Sequence, residues 1–159
     1  MSKKEIEKFN MLFEELLDKM VEKFKNKKLN SYRRFFILMK TTMPKVPVNI
    51  FMSGCIAYKD KIKSRDVNFF LEDDTIYQKT KYFGNFTKDC GVGDYWSSMS
   101  LSTQSAIWDY IQSLFVLGEI IINNNKDLFE KYNKFYLSDF KDDINNINNS
   151  SLLLTKLNS

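Results

Sequence analysis

The sequence predicts an all-α, single-domain bundle of five or six helices with a long internal loop. Three observations predict it. Phe9, Leu12, Phe13, Leu16, Leu17, Met20 and Phe24 recur at the spacing of one apolar stripe on a helix of 3.6-residue period. Ile107, Trp108, Ile111, Leu114, Phe115 and Gly118 form a second, broader apolar face. No stretch alternates apolar and polar residues over a strand's length, and Val46-Pro47-Val48 is too short and carries proline. The 159 residues match one domain and can bury a core without disulfide or metal staples.

Each element has a local justification. The first helix is predicted over residues 3–26, with Glu5 and Glu7 in its first turns and Lys23, Lys25, Lys27 and Lys28 at its end, as the helix dipole favours. Asn30-Ser31 is predicted to cap a second helix. That helix carries Tyr32, Phe35, Phe36 and Met39 on one face, Arg33, Arg34 and Lys40 on the other, and stops before Pro44. Pro44 and Pro47 suit the start of a third helix, along which Ile50, Phe51, Gly54, Cys55, Tyr58 and Ile62 share a face. Ser64-Arg65-Asp66 reads as a break, and Val67 to Leu71 as a short helical turn plugging the core.

Residues 75–93 read as the long loop. Trp96 opens the second strong segment, and Ser100 is predicted to cap a helix over 101–123. Leu117, Ile120, Ile121 and Ile122 make the end of that helix apolar nearly all round, which places it at the centre of a bundle or in an interface. Asn123-Asn124-Asn125 ends it. A further helix is predicted from Lys126 to Phe140 through Leu128, Phe129, Tyr132, Phe135 and Tyr136. The domain is thus 1–141, followed by an Asn-rich tail over 142–159 in which Leu152-Leu153-Leu154 can dock back on the body or on a neighbour.

Composition excludes several chemistries. Without histidine there is no His-based acid–base catalysis, no Ser–His–Asp triad and no His-liganded zinc. Cys55 and Cys90 are too few for a four-cysteine zinc site, and Cys55 reads as a small buried hydrophobe. No cofactor, metal or small-molecule substrate is expected. The charged start Met1-Ser2-Lys3-Lys4-Glu5 predicts no signal peptide, and the longest apolar run, Leu114 to Ile122, is too short for a membrane span. The expected location is intracellular. Asparagine is abundant, and 21 lysines outnumber three arginines, a bias that resembles translation from an AT-rich genome. Residues 1–65 hold 16 Lys/Arg against 7 Asp/Glu, and residues 66–159 hold 8 against 13, so the net +4 hides a basic half and an acidic half.

Lys19, Lys23, Lys25, Lys27, Lys28, Arg33, Arg34 and Lys40 lie among Tyr32, Phe35 and Phe36. Cations for phosphates interleaved with aromatics for stacking are what a nucleic-acid face needs, and Lys19, Lys23, Lys27, Lys28, Arg33 and Arg34 are its candidates. A solvated helix face is the competing reading. Asp60, Asp66, Glu72, Asp73 and Asp74 lie scattered about a turn beside Lys59, Lys61, Lys63 and Arg65, which favours surface ion pairing over a magnesium site. Gly91-Val92-Gly93 lacks a preceding strand and a following Lys, so it is no phosphate loop. Trp96, Trp108 and Phe115 are the candidate partner anchors, against core packing as the alternative.

Two stretches carry a resemblance. Tyr58-Lys59-Asp60-Lys61-Ile62 with Asp66, Phe69 and Phe70 fits a Y-K-x-x-I-x-x-x-D-x-x-F-F pattern. Tyr95-Trp96-Ser97-Ser98-Met99-Ser100, with Ile107-Trp108-Asp109-Tyr110-Ile111-Gln112-Ser113-Leu114 behind it, fits Y-W-x-x-L-S … I-W-x-Y-L-Q-x-L. The pair resembles short, mostly uncharacterised helical proteins of nucleocytoplasmic large DNA viruses, including giant viruses, over about residues 5–122. Leu101-Ser102-Thr103-Gln104-Ser105 is neutral where that group carries glutamates and lysines. The resemblance implies a setting, virion or virus factory, and carries no catalytic residue across.

The expected function is therefore a non-enzymatic structural or protein-interaction role. The partner is a viral or host protein, or a second copy. The alternative is an accessory DNA- or RNA-binding protein using the basic 19–40 face.

Overall fold

The computed structural model describes residues 3–25, 27–71 and 95–132. The long loop predicted over 75–93, the last predicted turns up to Phe140 and the tail over 142–159 lie outside the described residues.

The first apolar stripe forms α1 (Lys3–Phe24), which buries Phe9, Leu12, Phe13, Leu16, Leu17 and Met20. Lys25 ends it with a φ of 49°, the left-handed conformation that commonly closes a helix. The chain then reverses into α2 (Lys27–Thr42). The predicted Asn30-Ser31 cap is corrected: α2 starts at Lys27, and the Ser31 hydroxyl donates to the Lys27 carbonyl at 3.3 Å from within the helix. The tight turn at Lys25 sets the start of α2, so the polar pair falls inside it.

After Met43-Pro44-Lys45 comes α3 (Val46–Cys55), with Pro47 in its first turn, where a missing N–H costs nothing. A 3₁₀ turn (Ile56–Tyr58) and α4 (Lys59–Lys63) continue it. Arg65, at φ 54°, makes the predicted break. Asp66 Oδ1 then accepts from the Asn68 N–H at 3.0 Å and starts the short α5 (Asn68–Leu71). Ser100 caps α6 (Leu101–Asn123), its hydroxyl oxygen accepting from the Thr103 N–H at 3.1 Å. Asn125 Oδ1 accepts from the Leu128 N–H and caps α7 (Lys126–Tyr132).

Among the described residues there is no strand, and five helices are seven residues or longer. The chain is an all-α bundle. α6 is its axis: α1, α3, α4 and α7 pack around it, and α2 lies outside against α1 and α3. Leu114, Leu117, Ile121 and Ile122 are buried, as the all-round apolar pattern predicts. By length and composition alone α6 could cross a membrane, but 83% of its most apolar stretch is buried inside the bundle. Its apolar character extends beyond the Leu114 to Ile122 run, back through Ala106, Ile107, Trp108, Tyr110 and Ile111, which the core also buries.

Two aromatic clusters order the core. Phe9, Phe13 and Phe51 meet edge-to-face at 5.6–5.9 Å, and Phe36 stacks on Phe13 at 5.2 Å. Tyr58, Phe69, Trp108 and Trp96 form a row with centroid spacings of 6.3, 6.3 and 5.9 Å. Gly118 of α6 lies directly against Met52 of α3: a Cβ on Gly118 would run into Met52 Sδ and stand 2.8 Å from its Cγ.

Candidate docking groove

The row of aromatics joins two stretches, residues 58–71 and residues 95–114. Tyr58 and Phe69 come from the first, Trp96 and Trp108 from the second. Polar contacts lock the same junction. Arg65 Nε donates to Gln112 Oε1 at 3.1 Å, its Nη1 to Ser105 Oγ at 3.3 Å, and its Nη2 to Asp109 Oδ1. Gln112 Nε2 returns a bond to the Ile62 carbonyl at 3.0 Å, and Gln104 Nε2 donates to the Trp96 carbonyl at 2.6 Å. Lys59 pairs with Glu119 at 3.0 Å.

Two of these cations also pair over long range. Arg65 reaches Asp109 and Lys59 reaches Glu119, 44 and 60 residues along the chain on α6. Asp66 is used to cap α5, and Glu72, Asp73 and Asp74 lie outside the described residues. Among the described residues no three His, Cys, Asp or Glu side chains converge as a metal site would require.

The candidate partner anchors are corrected too. Trp96, Trp108 and Phe115 are only 8, 4 and 2% exposed. All three belong to the core cluster, where Trp108 meets Phe69 of α5 on one side and Trp96 on the other. Cys55 is buried as expected, and burial pushes its thiol pKa up. Cys90 lies outside the described residues.

The basic segment does not form one open face. Arg33 pairs with Asp18, and Lys40 pairs with Glu14, two rungs between the antiparallel α1 and α2. The hydrogen bond from Arg33 to Asp18 raises the guanidinium pKa further. Lys23 Nζ donates to Thr103 Oγ1 at 2.8 Å, at the start of α6. Lys19 is half-buried, while Lys27, Lys28 and Arg34 are exposed. Arg33 and Lys23 are thus engaged by the chain's own side chains.

What the sequence reading did not single out is a groove between α2 and α3. Tyr32, Phe35, Phe36 and Met39 wall it on one side, Val46, Pro47 and Ile50 on the other, and Phe13, Leu17 and Phe51 floor it. It encloses about 220 Å³. The only side-chain oxygen or nitrogen among these residues is the Tyr32 hydroxyl. On its outer lip Phe35 is 43% exposed, and on α2 outside the lining Leu38 is 57% exposed. A signal was present: Phe35-Phe36-Ile37-Leu38-Met39 is an unbroken apolar run inside a helix. A helix on the outside of a bundle cannot bury all sides of such a run.

A second, more open cleft of about 920 Å³ lies between the start of α1 and the α2–α3 turn. Lys3, Glu7, Lys45 and the Lys40–Glu14 pair line it together with Met11 and Met43, so it mixes both charges. Val46 borders both depressions.

The fold and these contacts define an all-α helical bundle with an apolar groove on its outer helix pair. Comparison with protein-family models, with curated proteins and with solved structures finds no match.

Proposed function

We propose that the chain is a non-enzymatic protein-interaction module of a large DNA virus, acting inside the host cell in the virus factory or the virion. It docks a partner protein through the α2–α3 groove. The observation that carries the docking is the groove itself: an open, apolar cavity of about 220 Å³ with Phe35 exposed on its lip. Exposed apolar surface of this kind marks interaction sites. The viral setting rests on the two resembling stretches alone. Binding rather than catalysis is supported by how the acids near the core are used: Glu119 and Asp109 are held by Lys59 and Arg65, and Asp18 and Glu14 by Arg33 and Lys40.

The experiment compares wild-type protein with Phe35→Asp in quantitative capture from infected host cells, after circular dichroism shows both folded. Phe35 is exposed enough for the charge to be tolerated. Proteins enriched by wild type and lost with Phe35→Asp support the reading. Equal recovery by both variants overturns docking at the groove.

A further inference from the structure

The end of α7 lies beside the groove. Tyr132, its last residue, donates its hydroxyl to Asn49, with Oδ1 at 2.6 Å and the carbonyl oxygen at 3.2 Å. Lys131 Nζ donates to the same Oδ1 at 3.0 Å. Asn49 stands on α3 directly before Ile50 and three residues after Val46, and both of those line the groove. The last two described residues are thus pinned against the helix that forms one groove wall.

From that point the sequence continues over residues 133–159. Phe135 and Tyr136 extend the helical spacing of Leu128 and Tyr132, the buried residues of α7. Leu152-Leu153-Leu154 extends no such stripe, and it lies in a stretch, Ile144 to Thr155, without any charged residue. The groove matches it in chemistry: its lining carries no charge and one polar side-chain atom, the Tyr32 hydroxyl. Its volume of about 220 Å³ takes one or two large aliphatic side chains. Distance allows the match. Leu152 is 20 residues beyond Tyr132. A coil of that length spans roughly 25 Å root-mean-square, whereas the ten residues of α3 span about 15 Å. A tether of this kind sets an effective concentration of about a millimolar, so an apolar contact too weak to hold a free peptide holds a tethered one.

We propose that Leu152-Leu153-Leu154 occupies the α2–α3 groove of its own chain, so that a partner docks there only by displacing it. The displacement rests on the docking reading above, while the occupancy is measurable with no partner present. Burial of apolar surface on both sides drives the contact. The apparent affinity of a partner is then lowered by the fraction of chains whose groove is filled.

The test uses the full chain, dilute, in NMR. Nuclear Overhauser contacts should join the methyl groups of Leu152, Leu153 and Leu154 to the rings of Tyr32 and Phe35. They should vanish in Phe35→Asp and in the triple variant Leu152→Asp, Leu153→Asp, Leu154→Asp. A labelled synthetic peptide of residues 148–159, read by fluorescence anisotropy, should bind the triple variant at least about threefold more tightly than wild type, whose groove is already filled. Three results overturn the inference. The contacts are absent from the wild-type chain. They arise only between differently labelled chains in a mixed sample, which makes a second copy the occupant. The peptide binds both proteins equally. Capture from infected cells separates this inference from the docking reading. Greater recovery of partner proteins by the triple variant than by wild type supports displacement. Contacts present, with recovery unchanged by Phe35→Asp, leave the occupancy standing and sink the docking reading. Contacts absent, with recovery lost in Phe35→Asp, sink the occupancy and leave the docking reading standing.

Discussion

Lys59 Nζ lies 3.0 Å from Glu119 Oε2, with the Lys59 side chain 15% exposed and the Glu119 side chain 1%. The pair ties α4 to the central helix one residue from the Gly118–Met52 contact. Taking two charges out of water is costly, and their attraction compensates only while both are present. The lysine stem can lie along apolar surface while its ammonium reaches inward to the acid.

Lys59→Met should therefore destabilise the fold by about 3–5 kcal/mol, because it takes the Lys59 ammonium away from the buried Glu119 carboxylate. Lys59→Met combined with Glu119→Leu should recover most of that loss, since an apolar pair of similar volume carries no desolvation cost. Urea unfolding of the two singles and the double decides the matter. A double mutant as weak as the Lys59 single would show that the pair contributes in some way other than mutual charge compensation.

Gly118→Ala runs a methyl into Met52 Sδ and places it 2.8 Å from Met52 Cγ, and Met52 is fully buried. Overpacking of this kind costs about 1–3 kcal/mol, offset by up to about 1 kcal/mol of better helix propensity. The substitution should be destabilising on balance. Shortening the other partner should relieve the clash, so Gly118→Ala with Met52→Ala should lose less than the two singles summed. Additive losses would place the strain elsewhere.

Arg65 bridges Ser105, Asp109 and Gln112 with three different nitrogens while its backbone holds a left-handed φ of 54°. A planar guanidinium fork makes this possible, and an ammonium does not reproduce it. Arg65→Lys should thus rescue little of the roughly 2–4 kcal/mol lost in Arg65→Ala, which leaves the largely buried Asp109 without its cation. Hydrogen exchange should show the loss first in α4 and α5. Full rescue by lysine would mean that charge alone, not the fork, holds the junction.

Alkaline pH should unfold this chain earlier than heat alone would suggest. Burial raises the pKa values of the Cys55 thiol and the Tyr110 hydroxyl, and brings Tyr132 up to about 12. For Tyr110 the nearby Glu15 carboxylate adds to the rise, and burial raises Glu15 itself. Each of the three is neutral when protonated, so the folded chain holds its proton more tightly than the unfolded chain does. Their contribution to stability is complete below the unfolded values, near 8.5 for a thiol and about 10 for a phenol, and is lost as pH rises through the folded values. For Tyr132 that window is about 10 to about 12. The urea midpoint should fall across it. Tyr110→Phe should flatten the fall at small neutral-pH cost, because that hydroxyl makes no hydrogen bond of full geometry. Tyr132→Phe should flatten it too, but at the cost of the bonds to the Asn49 carbonyl and Oδ1. A fall unchanged in both variants would rule out the phenols as its source.

Periodicity made much of the fold legible. The stripe of Phe9 to Phe24 is α1, Ser100 caps α6 as its hydroxyl suggests, and Pro44 and Pro47 bracket the start of α3. The start of α2 was less legible, since it depends on the left-handed turn at Lys25 rather than on the polar pair that resembles a cap. For the site the balance reverses. Trp96 and Trp108 stand out in the sequence but are core, while Phe35 and Leu38 look like ordinary members of an apolar run and are exposed.

The sequence by itself determined most of the helices and their order, and narrowed α6 to the centre of a bundle or an interface, because spacing of apolar residues is a local property that each helix reads from its own neighbours. It also determined that residues 27–58 carry positive charge only. Tertiary structure alone decided which charges remain available and which apolar surface stays open. Asp18 and Glu14 could take Arg33 and Lys40 only once α1 and α2 lay antiparallel, and Lys59 met Glu119 only when α4 packed on α6. The groove exists because α2 packs on one flank of the bundle with more apolar surface than its two neighbours can cover.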